Sequence, residues 1–468
     1  MNSAELAELE RAAERIWVIA QEMGIDPFPT YFDVVPASIM YEFGAYGLPG
    51  RFSHWTHGRS YQQIKTMYDY GLSKIYELVI NANPSYAFLL ENNDVLQNKV
   101  VAAHALAHSD FFKHNLYFAH TSRDMVETAA VNAERLQRYE FEHGRDRVEG
   151  FLDAVLSIDD HFDPNVRIRR TDQDDPERAR PPRPPTTSYD DLFYLGSEKR
   201  PVAEPPQKKF PAEPEKDLLL FLADHAPDLE PWQRDIIHIV RQEQIYFLPQ
   251  MQTKIVNEGW AAYWHARIIR ELDLTPDEHL RFAAMHAGVL APSRRGVNPY
   301  YIGMKIFEDV ERRWDSPDDE AQQRDGRRPG EGRAKIFELR ELESDASFLR
   351  NYLTRELVDE LDLYTYRLDG DQWVVVEKDW EKVRDTLLQG MTNFGQPYIM
   401  VEDADFNRSR ELYLKHYFEG QELDLAYAER TLRQVYDIWR RPVHIETVVE
   451  EKPSVMTFDG NAGTIRPL

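Results

Sequence analysis

No cysteine occurs among the 468 residues, which excludes disulfide scaffolds, thiolate zinc sites, iron–sulfur clusters and cysteine nucleophiles together. Any metal must be held by histidine and carboxylate. Basic residues are outnumbered, 56 against 81 acidic, and the formal charge of -25 argues against a nucleic-acid partner, because the long-range field repels phosphate backbones and anionic lipid alike. Long apolar runs are missing as well. The longest, such as residues 218–223, fall far short of the roughly 18 to 20 residues that span a bilayer. Residues 1–20 carry Ala, Leu and Glu at helical spacing, with no basic stretch leading into an apolar one, so neither a signal peptide nor a membrane span is expected and a cytoplasmic location is. No glycine-rich phosphate loop or dinucleotide turn follows a strand, and no Gly-x-Ser-x-Gly elbow is present.

What the chain does have is enough apolar and aromatic material, 42% and 12%, to fill a sizeable core, and a length that predicts two or three domains. Helical periodicity is dense over residues 1–165, read as an N-terminal helical region; within it, an aromatic and glycine-rich stretch from Tyr31 to Trp55 reads as ordered loop and short helices. Of the 28 prolines, 13 fall between Pro164 and Pro231, so residues 166–230 are expected to form an extended linker or arm. Helical periodicity resumes over 231–350, interrupted by a hydrophilic stretch at 316–332 that reads as an exposed loop. In 351–468, Asp369-Gly370 between β-formers predicts a hairpin, with further strands near 398–401, 412–415 and 443–449 and helices near 380–388 and 425–439. The fold class expected is mainly α with a small C-terminal α+β domain.

The sharpest local feature is His104-Ala105-Leu106-Ala107-His108 on an apolar helix. Histidines at i and i+4 share a helix face, the spacing at which two imidazoles reach one metal ion. A second feature is Asn257-Glu258-Gly259-Trp260-Ala261, with His265 two turns on. A glutamate on an apolar helix is costly to bury unless it is paired or ligates a metal; its pairing candidates are Arg267 and Lys254. Together the two motifs resemble those of the gluzincin metallopeptidases, HALAH standing for HELAH and NEGWA for NEGFA. That likeness implies a zincin-like helical body, zinc or another divalent metal as cofactor, and His104, His108 and Glu258 as ligands. Two departures stand out. Ala105 occupies the place of the catalytic glutamate, and about 150 residues separate the motifs where the gluzincins have a few tens.

The remaining carboxylates and histidines supply alternatives. Glu134 rivals Glu258 as third ligand. Glu243 or Glu77 could replace the missing general base, and His265 could be a fourth ligand, a substrate-polarising group or an outer partner of the ligands. Asp110 and His114 could orient the imidazoles, and His54 and Tyr31 could touch substrate. A dinuclear carboxylate bundle would need two Glu-x-x-His pairs; only Glu140–His143 fits, with Asp235–His238 a poor second.

A longer likeness covers nearly the whole chain. AHALAHSDFFKHN at 103–115, YFLPQMQTKIVNEGWAAYWH at 246–265, NPYYIGMKIFEDVERR at 298–313 and RRPVHIET at 440–447 resemble the SpoVR family, relatives of stage V sporulation protein R. Departures are chiefly Ala107, where the family commonly has Gly, and the two inserts. The resemblance implies a cytoplasmic protein linked to spore cortex formation, or to cell-wall and stress physiology in bacteria that do not sporulate. It also implies association with a PrkA-like kinase and a von Willebrand-type protein. The function expected is zinc-dependent hydrolysis of an amide bond in a peptide or peptidoglycan-related substrate; the alternative is a non-enzymatic regulatory or scaffold protein with a structural or vestigial metal site.

Overall fold

The structure is a computed structural model, and it describes residues 1–47, 54–69, 77–165, 209–292, 297–370 and 372–468. The chain forms two compact units, each discontinuous: Met1–Glu149 with Gln242–Gln396, and Gly150–Arg241 with Pro397–Leu468. Helix predominates, and the sheet-rich part is C-terminal, as the composition and periodicity predict.

Two buried helices form the middle of the first unit. The helix that carries HALAH, Val95–His114, starts at Asp94, whose side chain accepts from the Gln97 N–H while the Gln97 side chain accepts from the Asp94 N–H. That capping box satisfies two of the donors a helix start leaves open. From Val101 to Phe112 every residue is buried, so the helix is apolar all round rather than on one stripe, as interior helices are. Four alanines, at 102, 103, 105 and 107, keep it thin enough for neighbours to approach on several sides.

The NEGWA helix, Lys254–Arg270, packs against it and is equally buried, with Trp260, Tyr263 and Trp264 nearly inaccessible. Its own N-cap residue, Thr253, makes no side-chain cap bond. Asp345, distant in sequence, does the capping instead, its Oδ1 accepting from the N–H groups of Ile255 at 2.8 Å and Val256 at 3.0 Å. On the far side, helix Pro299–Asp315 crosses the NEGWA helix at a glycine pair. A Cβ on Gly259 would lie 2.4 Å from the backbone of Gly303, and one on Gly303 would lie 2.2 Å from the Ile255 carbonyl oxygen. The glycine of NEGWA is thus a packing requirement.

Asp110 ties these elements together. Fully buried on the HALAH helix, it accepts from Trp260 Nε1 at 2.9 Å, from Arg340 Nη1 at 2.8 and 3.0 Å, and from the Asp26 N–H at 2.9 Å. The Arg340 guanidinium also lies 5.5 Å from the Trp260 ring centre, a cation–π placement.

A three-stranded sheet flanks the HALAH helix in the order Thr30–Val35, Ser85–Leu90, Glu77–Ile80, its first pair parallel and its second antiparallel. The expected loop around Tyr31 is therefore a strand, followed by helix Ala37–Tyr46; residues 48–53 of that stretch lie outside the described residues. The hydrophilic stretch at 316–332 is exposed as expected but contains a short helix, Asp319–Asp325. The hairpin at Asp369-Gly370 is present, strand Thr365–Asp369 pairing with Gln372–Glu377. It belongs to the first unit, as does helix Trp380–Met391, whose Val383, Leu387 and Leu388 pack on the main core. The units consequently part at 396/397, not at the 350/351 division expected from the composition.

The second unit is a five-stranded sheet in the order Gly463–Pro467, Lys452–Phe458, Val443–Val449, Glu411–His416, Ile399–Phe406, all neighbours antiparallel except Val443–Val449 beside Glu411–His416. Helix Leu425–Trp439 covers it with Leu432, Val435, Ile438 and Trp439. Of the segment expected as a proline-rich arm, 166–208 lies outside the described residues. Its C-terminal part contains a buried helix, Leu218–His225, whose Phe221 stacks on Trp439.

Two outcomes follow for unfolding experiments. Gly259→Ala is expected to cost about 1–3 kcal/mol in urea denaturation, because the methyl group has no room to enter, whereas Gly288→Ala, with open space around its Cβ, is expected to stabilise by up to about 1 kcal/mol. Asp110→Asn is expected to cost about 3–5 kcal/mol by the same measurement, since it takes the buried anion from Arg340 and leaves it only the exposed Glu341 carboxylate 2.8 Å away.

Candidate metal centre

Helical geometry places His104 and His108 one turn apart on the face turned to the NEGWA helix, with ring centres 4.6 Å apart. Both are buried. Glu258 enters from that second helix, its Oε2 lying 3.5 Å from His104 Nε2 and 3.4 Å from His108 Nε2. Among the described residues this is the one group of three His, Asp or Glu side chains whose ligand atoms all lie within 4.8 Å of one another.

The separations discriminate between two uses of the group. A charge-assisted hydrogen bond between nitrogen and carboxylate oxygen closes to about 2.7–2.9 Å. Donors on a tetrahedral zinc ion, with bonds of about 2.0–2.2 Å, stand about 3.3–3.5 Å from one another. The observed spacings are those of the second case. The alternative use of Glu258 as a partner of Arg267 does not occur, because Arg267 pairs with Glu311 at 3.0 Å. Burial by itself would push the Glu258 carboxyl up, but the two imidazoles beside it outweigh burial and hold it well below the usual carboxylate range.

Both imidazoles are held from behind. His108 Nδ1 lies 2.9 Å from Asn257 Oδ1, an acceptor, so the ring donates there and turns Nε2 toward Glu258. His104 Nδ1 lies 2.8 Å from His265 Nδ1, and His265 Nε2 lies 2.9 Å from His286 Nδ1. Partners on the outer nitrogen are the usual means of orienting a metal-binding histidine. His265 is buried, and that burial, with His104 and His286 beside it, holds its pKa well below the ordinary histidine value. With both nitrogens engaged by other histidines, His265 stands behind the trio and is not a fourth donor.

The other candidates fall elsewhere. Glu134 is exposed on helix Met125–His143 and does not join His108. Asp110 is occupied by Arg340 and Trp260, and His114 faces Asp26 at 3.2 Å, so neither orients the imidazoles. Glu243 is buried on helix Pro231–Gln252, outside the donor trio. Three residues beyond it, Tyr246 donates its hydroxyl to the Asn81 carbonyl at 3.0 Å. Glu77 opens strand Glu77–Ile80, and its side chain lies outside the description. His54 is buried with its ring 6.1 Å from that of His57, and Tyr31 is exposed beside Tyr86. Neither Glu140–His143 nor Asp235–His238 forms a donor group of three. Ala105 is fully buried, so the position of the gluzincin base is part of the helix core.

Asn257, His286 and Asp345 escaped sequence reasoning. Asn257 opens NEGWA but reads from sequence as a helix residue without a task. His286 and Asp345 sit 21 and 90 residues from the groups they bond, with no local pattern to mark either.

Comparison with known proteins agrees with the longer likeness, that to the SpoVR family. The family profile described as SpoVR like protein matches residues 3–396, and that described as SpoVR-like C-terminal domain matches residues 397–450. Their common boundary is also where the two compact units part. The chain is 28% identical over 479 residues to "Uncharacterized protein YcgB" of Escherichia coli (strain K12), covering 95% of this chain and 91% of that protein. No solved structure matches. In the described residues no helix is long and apolar enough to cross a membrane. With both profiles matching in succession over nearly its full length, the chain belongs to the SpoVR family.

Proposed function

We propose that His104, His108 and Glu258 hold one divalent ion, zinc by donor chemistry, and that the protein hydrolyses an amide bond in a peptide or peptidoglycan-related substrate. The observation that carries this reading is the 3.4–3.5 Å spacing of Glu258 Oε2 from both imidazole nitrogens. Two imidazoles and one carboxylate suit zinc, whereas calcium and magnesium favour all-oxygen shells. The three donors found among the described residues are the number that catalytic zinc sites use; structural sites close with four. Zinc bound there would polarise a substrate carbonyl and lower the pKa of water at the site.

The chain's own residues must supply the rest. Asn257 and His265 fix the donor rings. Since Ala105 carries no base, Glu243 is the carboxylate proposed to take the proton from water; the His265 contacts favour a positioning role for that residue over a catalytic one. In this reading the protein works in the cytoplasm, in spore cortex formation or cell-wall and stress physiology, alongside a PrkA-like kinase and a von Willebrand-type protein. The buried alanine at position 105 favours a second reading, a regulatory or scaffold protein of the same kinase system whose metal centre is structural.

Metal analysis of untagged protein tests the centre. About one equivalent of zinc is expected in the wild type and far less in His104→Ala and Glu258→Ala; metal well below one equivalent and indifferent to both changes would remove the centre. Zinc affinity is expected to fall as pH is lowered, because the donor rings must be neutral to bind. Catalysis is tested by release of products from peptidoglycan-derived peptides. Glu243→Gln is expected to lower turnover by about 10²–10⁴-fold while retaining zinc. Retained zinc with no hydrolysis by either protein favours the scaffold.

A further inference from the structure

The three histidines behind Glu258 form a line. His104 Nδ1 meets His265 Nδ1 at 2.8 Å, and His265 Nε2 meets His286 Nδ1 at 2.9 Å. His104 comes from the HALAH helix, His265 from the NEGWA helix and His286 from helix Pro276–Val289. The line thus leaves the buried trio and ends at a half-buried ring stacked on Phe282.

A neutral imidazole carries one proton, so each ring is a donor at one nitrogen and an acceptor at the other. That rule makes the line directional. A metal ion on His104 Nε2 consumes that lone pair, so the ring proton must sit on Nδ1 and point at His265 Nδ1. His265 must then accept at Nδ1 and donate from Nε2, and His286 must accept at Nδ1 and carry its own proton on Nε2. Without the ion, His104 can hold its proton at either nitrogen, and both directions are open. The Ala261 carbonyl, one turn back from His265, also faces that ring and competes for its proton.

Resting on the metal-centre reading above, we propose that His265 and His286 are positioning residues that commit His104 to its Nδ1–H form, so that occupancy of the centre fixes the tautomer of all three rings. His286 touches none of the three donors in this arrangement; it acts through His265. His108 is fixed separately by Asn257, whose amide oxygen can only accept, so the two donor rings are governed by different means.

The test uses the full chain, labelled with 15N-histidine, before and after zinc, with binding measured independently by competition with a chromophoric chelator. In the zinc-loaded protein, two-bond 1H–15N spectra are expected to show His286 and His265 protonated at Nε2 and His104 at Nδ1, with His286→Asn identifying the His286 signals by their loss. His265→Phe is expected to weaken zinc binding by about 10–100-fold, the usual cost of removing an outer partner. His286→Leu is expected to weaken it as well, and His286→Asn, which keeps an acceptor oxygen near the place of Nδ1, is expected to restore it. Thermal unfolding of each variant separates loss of fold from loss of the line. Zinc bound with His286 or His265 protonated at Nδ1 would overturn the proposal and leave the centre standing, as would equal zinc affinity for His286→Leu and the wild type. Failure of the wild type to bind zinc would overturn both.

Discussion

A carboxylate placed between two imidazoles sets the terms on which the two central helices of the first unit can meet. Each of these helices is buried around most of its circumference, so their polar side chains have little water to fall back on, and a buried polar group without a partner costs more than a typical hydrogen bond contributes. Glu258 cannot enter that environment unless His104 and His108 face it. They in turn need Asn257 and His265 behind them, and His265 needs His286. The polar cluster propagates outward until a ring reaches the half-buried zone. Around it the apolar core packs the two helices together, and the Gly259–Gly303 pair lets helix Pro299–Asp315 approach the NEGWA helix backbone to backbone.

Charge is handled differently on the same helices. Asp110 and Arg340 form a buried ion pair whose carboxylate also holds the Trp260 indole and the Asp26 N–H. Every acceptor position of that carboxylate has work to do, which is the condition under which a buried pair is tolerated. The trio around Glu258 is the opposite case, in which nitrogen and oxygen stop short of hydrogen-bonding distance. Two carboxylates less than two turns of NEGWA apart in their contacts therefore differ in kind: one is saturated by protein donors, and the other is spaced for something between it and its neighbours.

The parts legible in the sequence were those encoded locally. The i, i+4 spacing in HALAH, the glutamate in NEGWA and the Asp-Gly turn each fix geometry within a few residues, and each is where the spacing put it. The short strands Thr30–Val35 and Ser85–Leu90 were not legible, because their parallel pairing joins segments 55 residues apart in sequence and neither TYFDVV nor SYAFLL alternates apolar with polar residues. The last two strands contain Pro453, Pro467 and Gly463, residues that argue against strand on local grounds and are admitted by pairing. The hairpin is legible from its turn but its unit is not, since turn chemistry says nothing about which core the next helix, with Val383 and Leu387, will fill. The Asp345 cap and the His286 contact are tertiary in the same sense.

The discontinuity of the first unit bears on how the protein is made. Asp110 and Trp260, which bond in the finished core, lie 150 residues apart, and the chain completes a large part of the second unit's sequence between them. At ribosomal rates of about 5–20 residues per second, the HALAH helix exists for about 8–30 s before the helix that buries it has been synthesised. During that interval a surface of alanine, leucine and phenylalanine has no permanent cover. A nascent chain of this design has to be shielded or kept loosely collapsed, and a polypeptide that stops after the first 240 or so residues would carry both histidines of the centre with no glutamate to meet them.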